Sequence, residues 1–552
     1  MKVAVIGGTG VFGERLVRLL VRDGHQVVAV GRGAAALDRL VADLGCTRLV
    51  LDRAADLAPL WKLAPDVVVD AAGPFHAYGT DPYRLPRAAI AQGVNYLDLA
   101  DDAGFCAGIA ALDTDARAAG VFALSGMSSV PGLSSTVVAA LTDGLTAIDT
   151  ISSAILPGNR APRGRSVMDS ILQQTGTHFQ TIVDGKPEPV RSWSRPARFT
   201  LSPNLTRAGC TRTGWMIEVP DQRLFPGFFG ARTVVFRAGL ELAVMNHGLA
   251  VLSWLRTRAG FGMPRWLISI IRIGAAILSP FGSDRGGMVV SVTGRGPRGW
   301  VNRCWTLSVD RGEGPFIPAV MARAVLRDLG AVPPGAGPAL AVIPLARAEA
   351  AMDDLAVTPD RSETPIIPLF QQVLGQGFHD LPPAVQATHD HAGPRRWSGR
   401  AQVTRGTGLL SRLIAMTFRF PQAGSDIPVT VLKTPDADGE IWDRRFGAGL
   451  FRSHLRSTPS GITERFGPMT FLLGLHVAEN ALHFPVRAGW FLGLRLPRIL
   501  LPQSVAREYA THDRFRFDVA LNAPLGGGLI VRYQGYLTPD AHPDLPARPI
   551  VV

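Results

Sequence analysis

Cysteine is scarce in this chain of 552 residues. The four cysteines stand far apart, and no two of them form a Cys-x-x-Cys pair: Cys46, Cys106, Cys210 and Cys304. This spacing excludes a disulfide-stabilised scaffold and a cysteine-rich zinc site. It suits a reducing compartment, so we expect a cytoplasmic protein.

Lysine is scarce too, because only four of the 57 basic residues are lysines. The formal net charge is +12 and the sequence pI is about 10.2. The arginines are scattered along the chain, and no basic run contains interleaved aromatic residues, so we expect no nucleic-acid partner. A coding bias towards arginine explains the excess, and an anionic lipid or an acidic ligand is the alternative.

Long hydrophobic runs are missing as well. No stretch reaches the roughly 20 apolar residues of a membrane-spanning helix. Residues 238–255 contain Glu241 and His247, and residues 266–278 are shorter and contain Arg272. Buried helices of a large domain explain both segments, and a basic amphipathic pair lying on a membrane surface is the alternative. The apolar run at residues 3–6 is too short for a secretory signal.

Several catalytic signatures are absent. No lysine has a tyrosine four positions before it, which excludes the Tyr-x-x-x-Lys proton transfer of short-chain dehydrogenases. Neither Gly-x-Ser-x-Gly nor His-Glu-x-x-His occurs, so serine-hydrolase and zinc-protease chemistry lack their motifs. His379, His389 and His391 show no metal-ligand spacing with acidic partners, and we expect no metal.

The first residues carry a glycine-rich motif. Residues 2–6 form a short, β-branched apolar run, and an amphipathic helix is predicted over residues 14–22. Both Gly-x-x-Gly-x-x-Gly and Gly-x-Gly-x-x-Gly fit the glycines between them. Glycine permits a tight turn and a close approach of a pyrophosphate to the helix N-terminus. This context predicts a dinucleotide site at the following residues: Gly7, Gly8, Thr9, Gly10, Val11, Phe12 and Gly13.

The end of the second predicted strand indicates which dinucleotide binds. Residues 26–30 lead into Gly31 and Arg32. An acidic residue there would bind the ribose 2′-hydroxyl of NAD, whereas an arginine pairs with the 2′-phosphate of NADP. We therefore expect NADP, with NAD as the alternative. Asp52, at the end of the third predicted strand, is placed in the same cofactor site.

Strands and helices then continue to alternate. Further strands are predicted at residues 47–52, 66–70, 93–98 and 121–125, with helices such as 82–92 and 105–119 between them. This alternation predicts a Rossmann-like, doubly wound parallel sheet. Ligands of such sheets lie at the carboxyl ends of the strands.

Four segments together resemble the saccharopine dehydrogenase-like reductases: GGTGVFG at 7–13, DAAGPF at 70–75, GVNYLDLADD at 93–102 and GMSSVPGLSS at 126–135. The resemblance implies that the first loop binds the dinucleotide phosphates. It also implies that the loop Ala72, Gly73, Pro74 and Phe75 flanks the nicotinamide. The implied activity is NADP-dependent reduction of an imine, an activated alkene or a carbonyl.

The loops at the strand ends offer five candidate proton donors: His76, Tyr78, Tyr96, Asp98 and Asp101. Reduction of an imine or an activated alkene needs one such donor besides the hydride. For each of the five, a capping or packing role is the alternative.

The middle region resembles the second domain of bacterial saccharopine dehydrogenase-like proteins. We therefore predict a Rossmann domain over residues 1–143, completed by a returning helix near 316–330, and an α+β substrate domain over 144–345. The middle region is rich in Leu, Ile and Trp, including Trp254 and Trp266. This composition favours a small-molecule substrate that is hydrophobic or lipid-linked.

The last third is predicted to be a separate domain. Residues 346–364 are small and acidic and are predicted to be a linker. Residues 365–552 are predicted to form a mainly antiparallel β domain, with short helices at 368–373 and 383–389. The segments LPPAVQATH (381–389), GEIWDRRFG (439–447) and ERFGP (464–468) resemble a bacterial domain of unknown function that is fused to such reductases.

One predicted strand of this domain alternates Trp442, Arg444 and Phe446, so all three side chains face the same side. They form either a pocket with an aromatic floor or part of a core. Two functions follow for the whole chain. The first is an NADP-dependent oxidoreductase. The alternative is a nucleotide-binding but non-catalytic protein, whose C-terminal domain binds a ligand or makes peripheral contact with a membrane.

Overall fold

The computed structural model describes residues 1–162, 164–201, 211–418, 420–436 and 438–540, so Cys210 lies outside the described residues. The described chain forms two compact units. One comprises residues 1–292 and 302–364, and the other comprises residues 293–301 and 365–540. Within the described residues, no helix is long and apolar enough to cross a membrane.

The strands of the first unit are β1 (Lys2–Ile6), β2 (Gln26–Gly31), β3 (Thr47–Val50), β4 (Val67–Asp70), β5 (Asn95–Asp98), β6 (Phe122–Ser125), β7 (Ala147–Leu156), β8 (His178–Val183), β9 (Lys186–Arg191), β10 (Ala197–Thr200), β11 (Thr211–Met216), β12 (Thr233–Ala238), β13 (Gly286–Gly296), β14 (Gly299–Val309), β15 (Gly335–Pro338) and β16 (Val357–Ile366). Its helices are α1 (Val11–Arg22), α2 (Ala34–Leu44), α3 (Ala58–Trp61), α4 (Arg84–Ala91), α5 (Ala103–Gly108), α6 (Asp113–Ala118), α7 (Ser134–Thr142), α8 (Arg165–Gln174), α9 (Asp221–Phe229), α10 (Ala243–Ala259), α11 (Arg265–Leu278), α12 (Ile317–Arg327) and α13 (Leu345–Ala350). The tip of the β13–β14 hairpin, residues 293–301, belongs to the second compact unit.

The first sheet is parallel and has the order β15-β6-β5-β4-β1-β2-β3. Its central strands are fully buried apolar runs, as expected for a sheet covered on both faces. The strand order reverses between β1 and β4, which creates the crevice where α/β sheets bind ligands. The predicted Rossmann-like sheet is thus confirmed.

The chain returns to this sheet after the middle region. Helix α12 packs on α1, and its buried Arg323 donates hydrogen bonds to both Asp23 (2.7 and 2.8 Å) and Asp354 (2.6 and 3.1 Å). Strand β15 then pairs in parallel with β6. Sequence analysis missed β15, because Gly-Ala-Gly-Pro has little β-propensity and its pairing with β6 alone makes it a strand.

The second sheet is mixed, with the order β10-β11-β12-β7-β13-β14-β16, and β8 and β9 form a hairpin beside β12. Residues 346–364, predicted to be a linker, instead contain α13 and most of β16. The sequence of β16, VTPDRSETPI, has no apolar alternation because this edge strand is largely exposed. Its polar composition therefore suggested a linker.

The second unit contains β17 (Arg395–Arg405), β18 (Gly424–Asp436), β19 (Gly439–Phe446), β20 (Gly449–Thr458), β21 (Gly461–Phe466), β22 (Met469–Leu473), β23 (His476–Ala478), β24 (Ala481–His483), β25 (Val486–Phe491), β26 (Leu494–Arg495), β27 (Gln503–Thr511), β28 (Arg514–Asn522) and β29 (Leu529–Pro539), with helices α14 (Leu369–Leu374), α15 (Pro383–His389) and α16 (Leu409–Thr417). The described strands form one antiparallel sheet in the order β23-β24-β27-β28-β29-β17-β18-β19-β20-β21-β22-β25-β26. The predicted antiparallel domain is confirmed. Sequence analysis missed α16 and the strands between residues 461 and 511, where short runs and exposed apolar residues obscure the alternation.

Candidate dinucleotide site and C-terminal cavity

The glycine-rich loop between β1 and α1 is a tight turn. Gly7 has a φ of +74°, and a Cβ there would lie 2.8 Å from the Cα of Ala72. A Cβ on Gly13 would overlap the carbonyl oxygen of Gly7. Both positions therefore require glycine. Since the first N–H groups of α1 have no partner inside the helix, this cradle fits the pyrophosphate of a dinucleotide.

Arg32 follows β2 on the same edge of the sheet. A Cβ on the preceding Gly31 would lie 3.6 Å from the Oγ1 of Thr9, so Arg32 begins close to the glycine loop. Its side chain is exposed and makes no ion pair with any described residue. Asp52 is exposed as well, but its carboxylate accepts a hydrogen bond from the Ala54 amide at 3.0 Å and so caps its own turn. Arg32 is the more available of the two for a ligand.

The loop after β4 lies against the glycine loop, because Ala72 adjoins Gly7. Gly73 and Pro74 are exposed, whereas Phe75 is buried. The Phe75 ring stacks on Tyr78 with the centroids 4.9 Å apart and contacts Phe105 at 5.2 Å. This loop therefore presents backbone to the crevice and anchors itself through its aromatic side chain.

Tyr78 is held by charged neighbours. Its hydroxyl donates a hydrogen bond to the buried Asp70 carboxylate at 3.1 Å, and the Arg53 guanidinium lies 2.9 Å from its ring centroid. Burial raises the pKa of Asp70 to about 6, although Arg53, 3.3 Å away, opposes the shift. The contacts give Tyr78 a positioning role in this loop.

Asp98 and Tyr96 lie in the interior, with no exposed surface. The Oδ1 of Asp98 accepts hydrogen bonds from the Ser125 hydroxyl (2.9 Å) and from the amides of Gly126 (2.8 Å) and Ala100 (3.0 Å). Burial raises the pKa of Asp98 to about 7, and burial together with the nearby Asp98 raises that of Tyr96 well above its ordinary value. Asp98 thus fastens the loops after β5 and β6 to each other, which is a capping role.

His76 and Asp101 reach the surface from neighbouring loops. Desolvation by its loop raises the pKa of Asp101, and the nearby His76 opposes that shift. Of the five predicted proton donors, these two side chains are the exposed ones, and they lie near each other.

Sequence analysis missed two charged residues close to the loop after β5. The guanidinium of Arg223, on α9, would lie 3.9 Å from a Cβ on Gly104. Burial raises the pKa of Glu218, just before α9; Asp102 adds to the shift, and Arg223 opposes it. No local motif marks these residues, because the packing of α9 against α5 alone brings them to this loop.

Helix α11 has an unusual surface for a helix of the first unit. Trp266, Ile270, Ile273 and Ile277 recur at intervals of three or four residues, and each is more than half exposed. They therefore form one apolar face on the helix. The helical interpretation of this segment is correct, but most of α11 is not buried.

The second unit encloses a largely apolar cavity of about 270 Å³ beside its sheet. Trp442, Arg444 and Phe446 all line this cavity, so the shared face predicted for them adjoins it. The Arg444 guanidinium lies 4.5 Å from the centroid of a Trp442 ring and donates hydrogen bonds to Ser453 (2.7 Å) and Glu464 (2.9 Å).

One end of the cavity carries charged groups. The Nζ of Lys433 donates a hydrogen bond to the Thr388 carbonyl at 2.9 Å and lies 4.2 Å from the Trp442 ring centroid. A ring nitrogen of the buried His389 lies 2.6 Å from the Glu508 carboxylate. Burial lowers the pKa of Lys433 to about 8, and burial together with Lys433 lowers that of His389 to about 4. Glu508 keeps a pKa below its ordinary value, because His389, Lys433 and Arg444 outweigh its burial.

Comparison with known protein families identifies both ends of the chain. Residues 3–124 match the saccharopine dehydrogenase NADP binding domain, and residues 381–537 match a domain of unknown function, DUF4166. Both predicted resemblances are confirmed. No curated protein matches the chain.

Solved structures were also compared. Saccharopine dehydrogenase (L-Glu forming) from Saccharomyces cerevisiae is 12% identical, with a TM-score of 0.47, over 65% of this chain and 99% of the other. A short-chain dehydrogenase/reductase family oxidoreductase from Burkholderia thailandensis is 22% identical, with a TM-score of 0.19, over 22% of this chain and 66% of the other. The chain thus carries an N-terminal segment that matches the saccharopine dehydrogenase NADP binding domain and a C-terminal segment that matches DUF4166.

Proposed function

We propose that the protein is an NADP-dependent oxidoreductase that reduces an imine, an activated alkene or a carbonyl. The observation that carries this proposal is the cradle at Gly7 and Gly13, with the exposed and unpaired Arg32 beside it. The match of residues 3–124 to an NADP binding domain supports it.

In this proposal each part of the crevice has a defined task. NADPH, when bound, supplies the hydride. Residues 7–13 hold the two bridging phosphates with backbone N–H groups, and Arg32 pairs with the 2′-phosphate. The exposed backbone of Gly73 and Pro74 bounds the pocket beside the glycine loop.

The proton donor is assigned to the pair His76 and Asp101. Both side chains are accessible, whereas Tyr96 and Asp98 are buried and Tyr78 is tied to Asp70. A donor works best when its pKa lies near the working pH, and desolvation moves Asp101 in that direction. Glu218 and Arg223 lie on the α9 side of the same loops and are assigned to substrate positioning.

The substrate proposed for this site is hydrophobic. The apolar face of α11, with Trp266 at its start, lies in the middle region that is predicted to hold the substrate. Such a face can bury the apolar chain of an acyl or isoprenoid substrate. Failure to bind or reduce any acyl or isoprenoid compound would count against this part of the proposal.

The first experiment is a fluorescence titration of the purified protein with NADPH and with NADH. For Arg32→Ala, we expect affinity for NADPH to fall about 10- to 100-fold and affinity for NADH to change little, because a charge-assisted pair is lost with the first cofactor alone. Arg117→Ala is the matched control. Arg117 is an exposed arginine on α6, which packs beside β15 at the opposite edge of the sheet. Equal losses for both cofactors, or no binding of either, would contradict the NADP assignment.

A second candidate is a protein that binds the nucleotide without turning it over. The burial of Asp98 and Tyr96 favours it, because only His76 and Asp101 remain as accessible donors among the predicted five. Oxidation of NADPH with acyl or isoprenoid carbonyl compounds distinguishes the two. The oxidoreductase requires turnover that falls strongly in the double variant His76→Ala/Asp101→Asn while NADPH binding persists.

A further inference from the structure

Strands β17–β22 and β25–β29 of the second unit each have one end at a common edge, as the antiparallel pairing shows. Pairs at this edge join neighbouring strands from β27 to β20 and from β21 to β25: Gln503 with Asn522, Asn522 with Leu529, Val531 with Arg405, Val403 with Gly424, Val429 with Phe446, Phe446 with Gly449, Phe466 with Met469, and Met469 with Phe491. We call this edge, together with α16 and the connections at residues 447–448, 492–493, 498–502 and 523–528, the rim.

The rim exposes apolar side chains. Leu409, Leu413 and Met416 recur along one face of α16, and Leu409 is 87% exposed. Leu492 and Leu494 are more than 70% exposed beyond β25. Apart from Ile367, the strongly exposed large apolar side chains in the described part of this unit all lie at or beside the rim. Such concentration marks an interaction surface rather than the ordinary scatter of surface leucines.

The opposite edge of the same sheet is different. Its exposed hairpin turns carry polar or acidic residues: Ser460, Glu479, Asn480, His512 and Asp513. The contrast between two edges of one sheet excludes a general excess of surface hydrophobicity as the explanation.

The rim is also basic. Arg412, Arg445, Arg495 and Arg498 are exposed there, and none of them forms an ion pair with a described residue. The exposed acidic residue at this edge, Asp426, is bound by Arg400 at 2.7 Å. Apolar side chains surrounded by free arginines are complementary to a bilayer with anionic headgroups.

The cavity extends from the rim into the unit. Ile414 of α16 and Phe418 just after it, together with Leu500 and Pro524, line it at the rim, and Lys433 lines its far end. The helix is seated by the Ser411 hydroxyl, which donates a hydrogen bond to the Gly527 carbonyl at 3.0 Å. The same helix therefore presents one face outward and another to the cavity.

We propose that the C-terminal domain docks through its rim on an anionic lipid bilayer and takes a single lipid acyl or isoprenoid chain into the cavity. The headgroup stays at the arginines, and the chain lies among the aromatic side chains. The cavity volume of about 270 Å³ lies just below the roughly 300–1,000 Å³ range of small-molecule sites, which suits one chain rather than a whole bilayer lipid. The proposal does not depend on the dinucleotide site.

Docking is tested with the full-length protein by flotation with vesicles of phosphatidylcholine, alone or mixed with phosphatidylglycerol. We expect binding to the mixed vesicles that weakens at high salt. Arg412→Ala/Arg498→Ala should lower the partition coefficient roughly 30-fold, since each basic residue near an anionic surface contributes about 1 kcal/mol. Leu409→Gln/Leu413→Gln should abolish it, and neither pair disturbs a buried side chain.

The matched control is Trp266→Gln/Ile270→Gln on α11 of the first unit, which should leave vesicle binding unchanged. Loss of binding in this control but not in the rim variants would overturn the proposal and place membrane contact on α11. Equal binding to both vesicle types would overturn the role of the arginines. A rim variant that changes the oligomeric state instead of vesicle binding would show that a second copy covers the rim.

Chain uptake is tested with the fluorescent fatty acid cis-parinaric acid. Ala506 lines the cavity beside Ser504, so Ala506→Phe and Ser504→Trp should each reduce probe binding at least 10-fold, while near-ultraviolet circular dichroism stays native. Unchanged probe binding in both folded variants would overturn the cavity assignment. Probe uptake without binding to any vesicle would overturn the bilayer as the source and indicate a soluble carrier.

Discussion

Two buried carboxyl groups, one in each unit, have pKa values shifted in opposite directions. Asp98 of the first unit accepts hydrogen bonds from neutral donors, and its burial raises its pKa to about 7. Glu508 of the second unit is also buried, but His389, Lys433 and Arg444 hold its pKa below the ordinary value. Nearby cations can therefore outweigh the effect of burial on the pKa of a carboxyl group, as they do for Glu508 but not for Asp70.

The difference predicts opposite effects of the same substitution. Replacing the carboxylate by its amide removes a charge that destabilises the first unit at Asp98. The same replacement at Glu508 removes a charge that stabilises the second unit. Hydrogen exchange followed by mass spectrometry can measure the opening free energy of each unit within the full chain.

The largest effect is expected for Glu508→Gln. Lys433 and Arg444 would then remain in the interior with one nearby counter-charge fewer, and leaving a buried charge uncompensated costs about 3–5 kcal/mol. Peptides from the second unit should lose this much protection at pH 7. Asp443→Asn is the control, because its partner Arg452 is exposed and the pair is worth less than about 1 kcal/mol. Similar losses in both variants would remove the distinction between the units.

Arg323→Met tests whether a paired carboxylate in the first unit behaves like Glu508. Burial raises the pKa of Asp23, but hydrogen bonds from Arg323 and Arg327 outweigh this effect and lower it to about 2. We expect the opening free energy of the first unit to fall by about 3 kcal/mol at pH 7, since two carboxylates lose a buried cation. An unchanged opening free energy would show that Arg327 and Arg22 compensate the charges of Asp23 and Asp354 without Arg323.

Asp98→Asn should stabilise the first unit at pH 8. The full shift in pKa corresponds to about 4 kcal/mol, and the unpaired amide N–H offsets about 2 kcal/mol of this gain, leaving about 2 kcal/mol. Oδ1 still accepts its three hydrogen bonds in the variant. Below about pH 4 the protonated carboxyl group is already neutral, so the gain disappears there and the variant should be less stable by the roughly 2 kcal/mol cost of its unpaired amide N–H. A variant that is less stable at both pH values would show that the ionised Asp98 is needed.

Acidification from pH 7 to pH 5 should move the two units in opposite directions, with Asp98 and His389 each contributing about 2 kcal/mol. Asp98 binds its proton more tightly in the folded state, so the first unit gains stability as the pH falls through 7 towards 4. His389, with its pKa lowered to about 4, binds its proton more tightly when unfolded. The second unit therefore loses stability as the pH falls below about 6.5. Parallel changes in hydrogen exchange would contradict this ordering of pKa values.

Local patterns in the sequence predict much of the dinucleotide site. The glycine spacing at residues 7–13 and the arginine after β2 follow from strand-turn-helix rules, which involve neighbouring residues only. The same rules do not predict that His76 is exposed and Asp98 is buried, because both are polar residues at strand ends. Tertiary packing alone buries one of them and exposes the other.

The C-terminal domain shows the same limit. Alternation predicted the strand that carries Trp442, Arg444 and Phe446, but it left open whether that face formed a core or a pocket. The apolar residues of α16 interrupted the β pattern, and no local rule explains leucines that are neither buried nor in a strand. The pairing of distant strands was needed to show that these residues share one edge.

The return of the chain to the first sheet has a consequence for biosynthesis. Strand β15 completes that sheet and α12 covers α1, yet both are synthesised about 200 residues after β6. A nascent chain that has reached the end of α7 therefore exposes an open strand edge and an apolar helix face until residue 338 has left the ribosome. A fragment cut at residue 143 would keep that state permanently, and we expect it to aggregate.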